Sequence, residues 1–355
     1  MPKRFLPACE ASVHEHGADR WSQAPSNRPI FGRLWMPKCR RRYTGQVTPM
    51  SDVIAARFDH IVIAVKDLKK AITTYRDGLG FSVVAAGEDS VGTTAASVHF
   101  GIYSVELVAV RDQASPSIRW LKEWLDIAKE NPPSFAVAVD DLEGAVARLD
   151  AQGIPHAEIT ECERLLPDGS IVRWREVIVA PESTPRTQSP AVIAASGRAP
   201  SLPARGQPAA RPTLPPMPIL VEYEGGDDGR RDVVERLGGN AEHGAGWRDL
   251  QSVSVLVADP EFAAQCYQTA FGWPRINDGL AGRGVVLGLG AIRLELIAPP
   301  SGGRVLPPGP HPTAIALRAS DRNATLEYLR ERGTADGAGR GVTPAKAHGL
   351  RIALP

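Results

Sequence analysis

Two side chains in this 355-residue sequence stand where chemistry could be done, His60 and Glu106. In His60-Ile-Val-Ile-Ala-Val65, the residues His60, Val62 and Ala64 alternate with Ile61, Ile63 and Val65. As a strand, this run would put bulky β-branched groups on one face and the histidine with smaller groups on the other. Ser104-Val-Glu-Leu-Val-Ala-Val110 repeats the split, with Ser104, Glu106 and Val108 facing away from Val105, Leu107 and Ala109. An imidazole and a carboxylate on one face can ligate a divalent metal, act on a substrate proton, or pair with each other in a core, because a buried carboxylate needs a partner. His99, in Ser97-Val-His-Phe-Gly101, is a candidate general base where its strand faces a pocket and an edge histidine otherwise.

The elements that must position these groups follow in order. Leu68, Ala71, Ile72 and Tyr75 have the spacing of a helix that covers the apolar sheet face, which leaves His60 and Glu106 on the opposite face. The turn Gly78-Leu-Gly-Phe81 comes next, and a connecting helix is expected over Ile118 to Lys129, stopped by Asn131-Pro-Pro133. Ser134-Phe-Ala-Val-Ala-Val-Asp-Asp-Leu142 then repeats the layout of His60 to Leu68, placing Ser134 opposite His60, with an amphipathic helix from Glu143 to Ala151. Later strands are expected at Ile171 to Val179 and at Pro218-Ile-Leu-Val-Glu-Tyr223. Between them, residues 181–218 hold 10 of the chain's 31 prolines and almost no large apolar residues. Such a stretch cannot bury enough surface to offset its ordering entropy and reads as a mobile insertion.

The layout recurs further on. Tyr267-Gln-Thr-Ala-Phe-Gly-Trp273 copies Tyr75-Arg-Asp-Gly-Leu-Gly-Phe81, and Ser252 and Asp259 stand to it as His60 and Asp67 stand to the first copy. Leu294-Glu-Leu-Ile297 matches Val105-Glu-Leu-Val108, and Asp321 to Gly333 matches Asp141 to Gly153. The expected fold class is therefore α+β: four βαβββ modules paired into two domains with curved, cupped mixed sheets. The boundaries read as a disordered basic tail over 1–54, a first domain over 55–225 with the Pro/Ala-rich insertion 181–216, a linker over 226–249, and a second, degenerate domain over 250–355.

On Phe58-Asp-His-Ile-Val-Ile-Ala-Val-Lys-Asp-Leu68, Leu79-Gly-Phe81, Val105-Glu-Leu-Val108, Val172-Arg-Trp-Arg175 and Pro218-Ile-Leu-Val-Glu222, the chain resembles the vicinal oxygen chelate superfamily. That group includes glyoxalase I, the extradiol dioxygenases and the bleomycin-resistance proteins, and the likeness is closest to the glyoxalase-like domain proteins. The resemblance implies a pocket on the concave sheet face, with His60, Glu106 and Glu222 holding a divalent ion (Mn, Fe, Ni or Zn) and Glu106 or His99 in catalysis. Ser134, Trp174 and Arg175 would contact the substrate. The metal would act as a Lewis acid for a lyase, isomerase or dioxygenase on a small oxygenated molecule. Ser134, where metal-binding relatives often place a ligand, favours the alternative: a metal-free protein that sequesters a small ligand, as the bleomycin-resistance proteins do. The second domain offers Ser252 and Ser254, Ala314 and a terminal strand without a carboxylate, so Glu295 stands alone there.

Composition narrows the partners. A formal net charge of +1 gives no reason to expect nucleic acid or an anionic membrane surface. Cys9, Cys39, Cys162 and Cys266 show neither a disulfide framework nor a zinc spacing, so a reducing cytoplasm is the default. No apolar run approaches the roughly 20 residues of a membrane span. The expected partner is a small-molecule ligand or substrate, with a homodimer left open. Residues 1–50 carry 9 Lys/Arg against 3 Asp/Glu and lack core-forming periodicity, so the stretch before Met50 is expected to lie outside the working protein.

Overall fold

Aspartate opens each of the four module helices, which is why it recurs in the sequence. Asp67 accepts a hydrogen bond from Lys70 N ahead of α1 (Leu68–Thr73), and Asp141 accepts one from Gly144 N ahead of α3 (Leu142–Gln152). Asp259 and Asp321 each accept from two backbone amides, ahead of α5 (Pro260–Phe271) and α6 (Arg322–Glu331). Each cap satisfies amides that the first helical turn leaves unpaired and contributes about 1 kcal/mol. α1 runs on into a wider turn over Thr74–Gly78 that buries Tyr75, so the helical stretch continues past the expected Tyr75.

The computed structural model describes residue 54 and residues 56–90, 92–115, 118–179, 215–236, 238–239, 242–276, 284–299 and 310–355. The expected tail, apart from Ile54, and most of the expected insertion at 181–216 lie outside them. The described residues belong to one unit, Val47–Pro355.

Eight strands close a barrel in that unit. The first module gives β1 (Ala56–Ala64), β2 (Val84–Asp89), β3 (Thr93–Phe100) and β4 (Tyr103–Val110). The connecting helix α2 (Arg119–Ala128) leads to the second module, with β5 (Asn131–Val139), β6 (Thr160–Leu165), β7 (Ile171–Ile178) and β8 (Ile219–Tyr223). Their order is β1-β4-β3-β2-β6-β7-β8-β5. The two modules meet along β1 and β5, and two residue pairs, Glu88–Leu165 and Asp89–Arg164, close the ring between β2 and β6.

The second sheet stays open. The third module supplies β9 (Trp247–Leu256), β10 (Arg275–Ile276), β11 (Gly284–Leu289) and β12 (Ile292–Ile297), and the fourth supplies β13 (His311–Ala319), β14 (Gly341–Val342) and β15 (Arg351–Ala353). Their order is β10-β11-β12-β9-β13-β15-β14, with β9 and β13 joined as β1 and β5 are. The fold is thus mixed α+β, two sheets of paired modules, as the repeat predicts.

The outward faces of both sheets share one apolar core that contains Ile61, Ile63, Leu107 and Phe135 of the barrel with Trp247, Val253, Leu294 and Ile315 of the second sheet. The repeated aromatic and glycine residues build it: Tyr75 stacks on Phe81 at 5.8 Å, Tyr267 on Trp273 at 5.4 Å, and Phe81 on Trp247 at 5.3 Å. Gly80 has φ +71, and a Cβ there would lie 2.7 Å from Ala245 Cβ, so only glycine allows this approach of the two sheets. The expected linker holds a further helix, α4 (Gly226–Arg236), which packs on β8.

Candidate functional site

Alternation turns His60, Val62 and Ala64 of β1, Ser104, Glu106 and Val108 of β4, and Ala95, Ser97 and His99 of β3 into the barrel. α2 fills one end, packing Leu121 and Leu125 on Val62, Ala64, Ala95 and Val108. The polar residues cluster toward the other end.

His60 is fixed by a backbone irregularity. The β1–β5 register shifts between Phe58 and His60, so Asp59 is an extra residue with no partner opposite. Such a bulge re-aims side chains. The fully buried Asp59 lies on the histidine's side, with Oδ2 2.6 Å from His60 Nδ1. The carboxylate accepts from Nδ1–H, which leaves the Nε2 lone pair directed inward, 4.0 Å from Glu106 Oε2. Asp59 also accepts from Tyr223 OH at 2.9 Å and pairs with Arg230 of α4, whose guanidinium lies over the Tyr223 ring at 4.9 Å. α4 therefore covers the polar end of the barrel, and Gly239, three residues past its end, lies against the His99 ring.

Glu106 has a second neighbour from across the barrel. Arg164 of β6 donates through Nη1 to Glu106 Oε1 at 3.3 Å, approaches Asp89 Oδ2 at 3.8 Å through Nη2, and stands over Trp174 at 5.2 Å. Burial alone would raise the Glu106 carboxyl, but Arg164, His60 and His99 together hold it down at about 2. Burial lowers His60, against the pull of Glu106, and pushes His99 down to about 4. Glu176 of β7 shares the inner face with Trp174, which donates to it through Nε1 at 2.9 Å, and burial raises its carboxyl.

The expected site residues divide between the two faces. His60, Glu106, His99, Ser134 and Trp174 turn inward, and Ser134 Oγ donates to the neighbouring Phe135 carbonyl at 3.4 Å. The expected convergence of Glu222 on His60 and Glu106 is not what the fold delivers. Glu222 pairs in register with Arg175, and both lie on the outer face, where Arg175 forms ion pairs with Glu222 and with Glu143 of α3. The physical reason is register: β8 pairs with β5 as Ala136–Ile219 and Ala138–Val221, which turns Ile219, Val221 and Tyr223 inward and Glu222 outward. Arg175 leaves the interior by the same alternation.

Five residues of the chamber were not anticipated: Asp59, Arg164, Glu176, Tyr223 and Arg230. Glu176 was within reach, since a strand that turns Trp174 inward must turn Glu176 with it. Arg164 has no local signal. A cavity of about 610 Å³ opens at β6, β7 and β8, bordered by the outward Glu161, Glu163, Arg173, Arg175 and Glu222 and also by Cys162, Trp174 and Tyr223. Among the described residues, no group of three or more His, Cys, Asp and Glu side chains is placed to hold a metal ion. No helix among them is long and apolar enough to cross a membrane.

A family model described as a glyoxalase-like domain matches residues 58–271. No curated protein matches the chain in sequence. Among solved structures, a hypothetical protein from Staphylococcus aureus superposes with a TM-score of 0.57 at 10% identity, over 84% of this chain and 100% of that one. An engineered variant of 4-hydroxymandelate synthase from Streptomyces coelicolor gives 0.48 at 15% identity, over 82% and 78%. A xylose isomerase-like TIM barrel/4-hydroxyphenylpyruvate dioxygenase fusion protein gives 0.45 at 14% identity, over 79% and 40%. Paired modules that enclose an inward histidine and glutamate define a protein of the vicinal oxygen chelate class. Within that class, the chain belongs to the glyoxalase-like domain family.

Proposed function

We propose that this chain is a metal-free member of its family that binds a small polar molecule inside the first barrel. The observation that carries this reading is the register of the module strands. β1 pairs with β4 as Val62–Glu106, and the matching pair in the second module is Ala136–Ile219. The four positions that face one another across the pseudo-symmetric barrel are thus His60, Glu106, Ser134 and Ile219, of which only two carry metal-ligating side chains.

The donor set does not match the divalent ion that the family implies. Catalytic sites for first-row metals use three protein ligands as a rule; Glu222 is engaged on the outer face, and among the described residues neither Glu176 nor His99 forms a three-ligand group with His60 and Glu106. Glu106 already has a cation beside it, since Arg164 lies 3.3 Å away, where it would repel a dication. The residues present do not fit the ion.

A second reading, a metal-dependent lyase, isomerase or dioxygenase at the same place, draws on the 4.0 Å approach of His60 Nε2 to Glu106. Metal analysis of the purified chain separates the two. We expect no stoichiometric transition metal in the wild type. A stoichiometric metal that disappears in His60→Ala would establish the enzyme reading instead.

A further inference from the structure

Apart from Asp59 Oδ1, which faces Arg230, the inner face of the first barrel leaves three buried polar atoms without a hydrogen-bond partner among the described residues: Ser104 Oγ, His99 Nδ1 and Arg164 Nε. Folded proteins pair nearly all such atoms, because a buried donor or acceptor that gives up water and gains nothing is destabilising. Three on one face mark a place built to hold a polar molecule. They are neighbours through the sheet, since β4 sets Ser104 opposite His60 on one side and His99 on the other. Arg164 joins them through Glu106, two residues along from Ser104.

The chemistry of the three atoms restricts the occupant. A hydroxyl and a neutral imidazole can each donate or accept, whereas a guanidinium N–H only donates. Arg164 Nε therefore needs an acceptor oxygen, which a simple cation lacks. An anion is disfavoured as well, because the single positive charge of Arg164 already faces two carboxylates, Glu106 at 3.3 Å and Asp89 at 3.8 Å. A third negative charge beside them would be held by repulsion as much as by attraction.

We infer that the chamber takes an uncharged molecule bearing a carbonyl or hydroxyl oxygen, with Arg164 Nε donating to that oxygen and Ser104 and His99 meeting a second polar group. This rests on the metal-free reading and adds the class of ligand. α4 covers the same end of the barrel through Arg230, which pairs with Asp59.

The test uses the full chain after its metal content has been measured. Dihydroxyacetone and benzyl alcohol serve as uncharged probes, with glycerate and benzoate as their anionic counterparts. Melting temperature and the NMR signal of the His99 ring are followed at millimolar probe concentration. An uncharged probe should raise the melting temperature and move the His99 signal, its anionic counterpart should do neither, and Ser104→Ala should weaken binding about tenfold. In the free protein, Ser104→Ala should leave the melting temperature unchanged or slightly higher, because it removes a hydroxyl that has no partner. Tighter binding of an anion, no response to any probe, or a fall of several degrees in free Ser104→Ala would each overturn the inference. A metal-free protein that prefers anions would overturn this inference alone, whereas a stoichiometric metal would remove the reading beneath it.

Discussion

The first barrel and the second sheet are built from the same module, yet they differ in what they hold. At the four equivalent inward positions, the barrel has His60, Glu106, Ser134 and Ile219, and the second sheet has Ser252, Glu295, Ala314 and Ala353. Each has one glutamate on the same strand of its first module. In the barrel, that glutamate is partly buried and locked between His60 and Arg164. In the sheet, Glu295, partly buried as Glu106 is, accepts a hydrogen bond from Ser254 at 2.8 Å. The difference follows from closure. β6 meets β2 only in the barrel, and β6 is the strand that delivers Arg164. A repeated sequence pattern thus gives a charged chamber where the ring closes and an ordinary sheet face where it stays open.

The sharpest way to break this comparison is to remove the cation. Arg164→Met should leave Glu106 buried without its partner and cost about 3–5 kcal/mol, as other broken buried ion pairs do. Glu295→Gln in the second sheet should cost about 1 kcal/mol, the size of one hydrogen bond. Urea denaturation of both variants checks the contrast, and equal losses would mean that closure does not matter.

Acidity should expose the same asymmetry. Burial lowers His60, His99 and His243 in the folded protein, and His243 uses Nδ1 to accept from Ser82 N, which protonation would break. Below the ordinary histidine value of about 6.5, the unfolded chain takes up protons that the folded chain refuses, so stability falls as pH falls. For His99, with a folded value of about 4, the loss amounts to about 3 kcal/mol by pH 4. Glu106 acts in the same direction at lower pH, because its carboxyl is held at about 2 and its contribution is lost as pH drops from the ordinary glutamate value toward that point. Denaturation midpoints across this range should decline steeply in the wild type and less so in His99→Gln. A parallel decline would place the effect outside the barrel.

The smallest effect is expected on the outer face. Glu222→Gln loosens a partly exposed pair with Arg175 and should cost less than about 1 kcal/mol, with no change in metal content or in the His99 NMR signal. A change in either would connect Glu222 to the chamber and sharpen the comparison in favour of a metal site.

What the sequence determined by itself was local and periodic. Period-two alternation turned His60 and Glu106 to one face, the recurring Asp67, Asp141, Asp259 and Asp321 marked helix starts, and the Tyr–Gly–aromatic repeats marked the modules and, through them, the fold. These signals are readable because each depends on a few neighbouring residues. Tertiary structure alone decided the rest of the chamber. The bulge that turns Asp59 toward His60 needs β5 as its partner, and Arg164 reaches Glu106 only because the ring closes. The face of Glu222 depends on how β8 pairs with β5 after a connection of some 40 residues, and a shift of one position would have turned it inward. Alternation fixes which residues share a face of one strand, and only strand pairing fixes which faces meet.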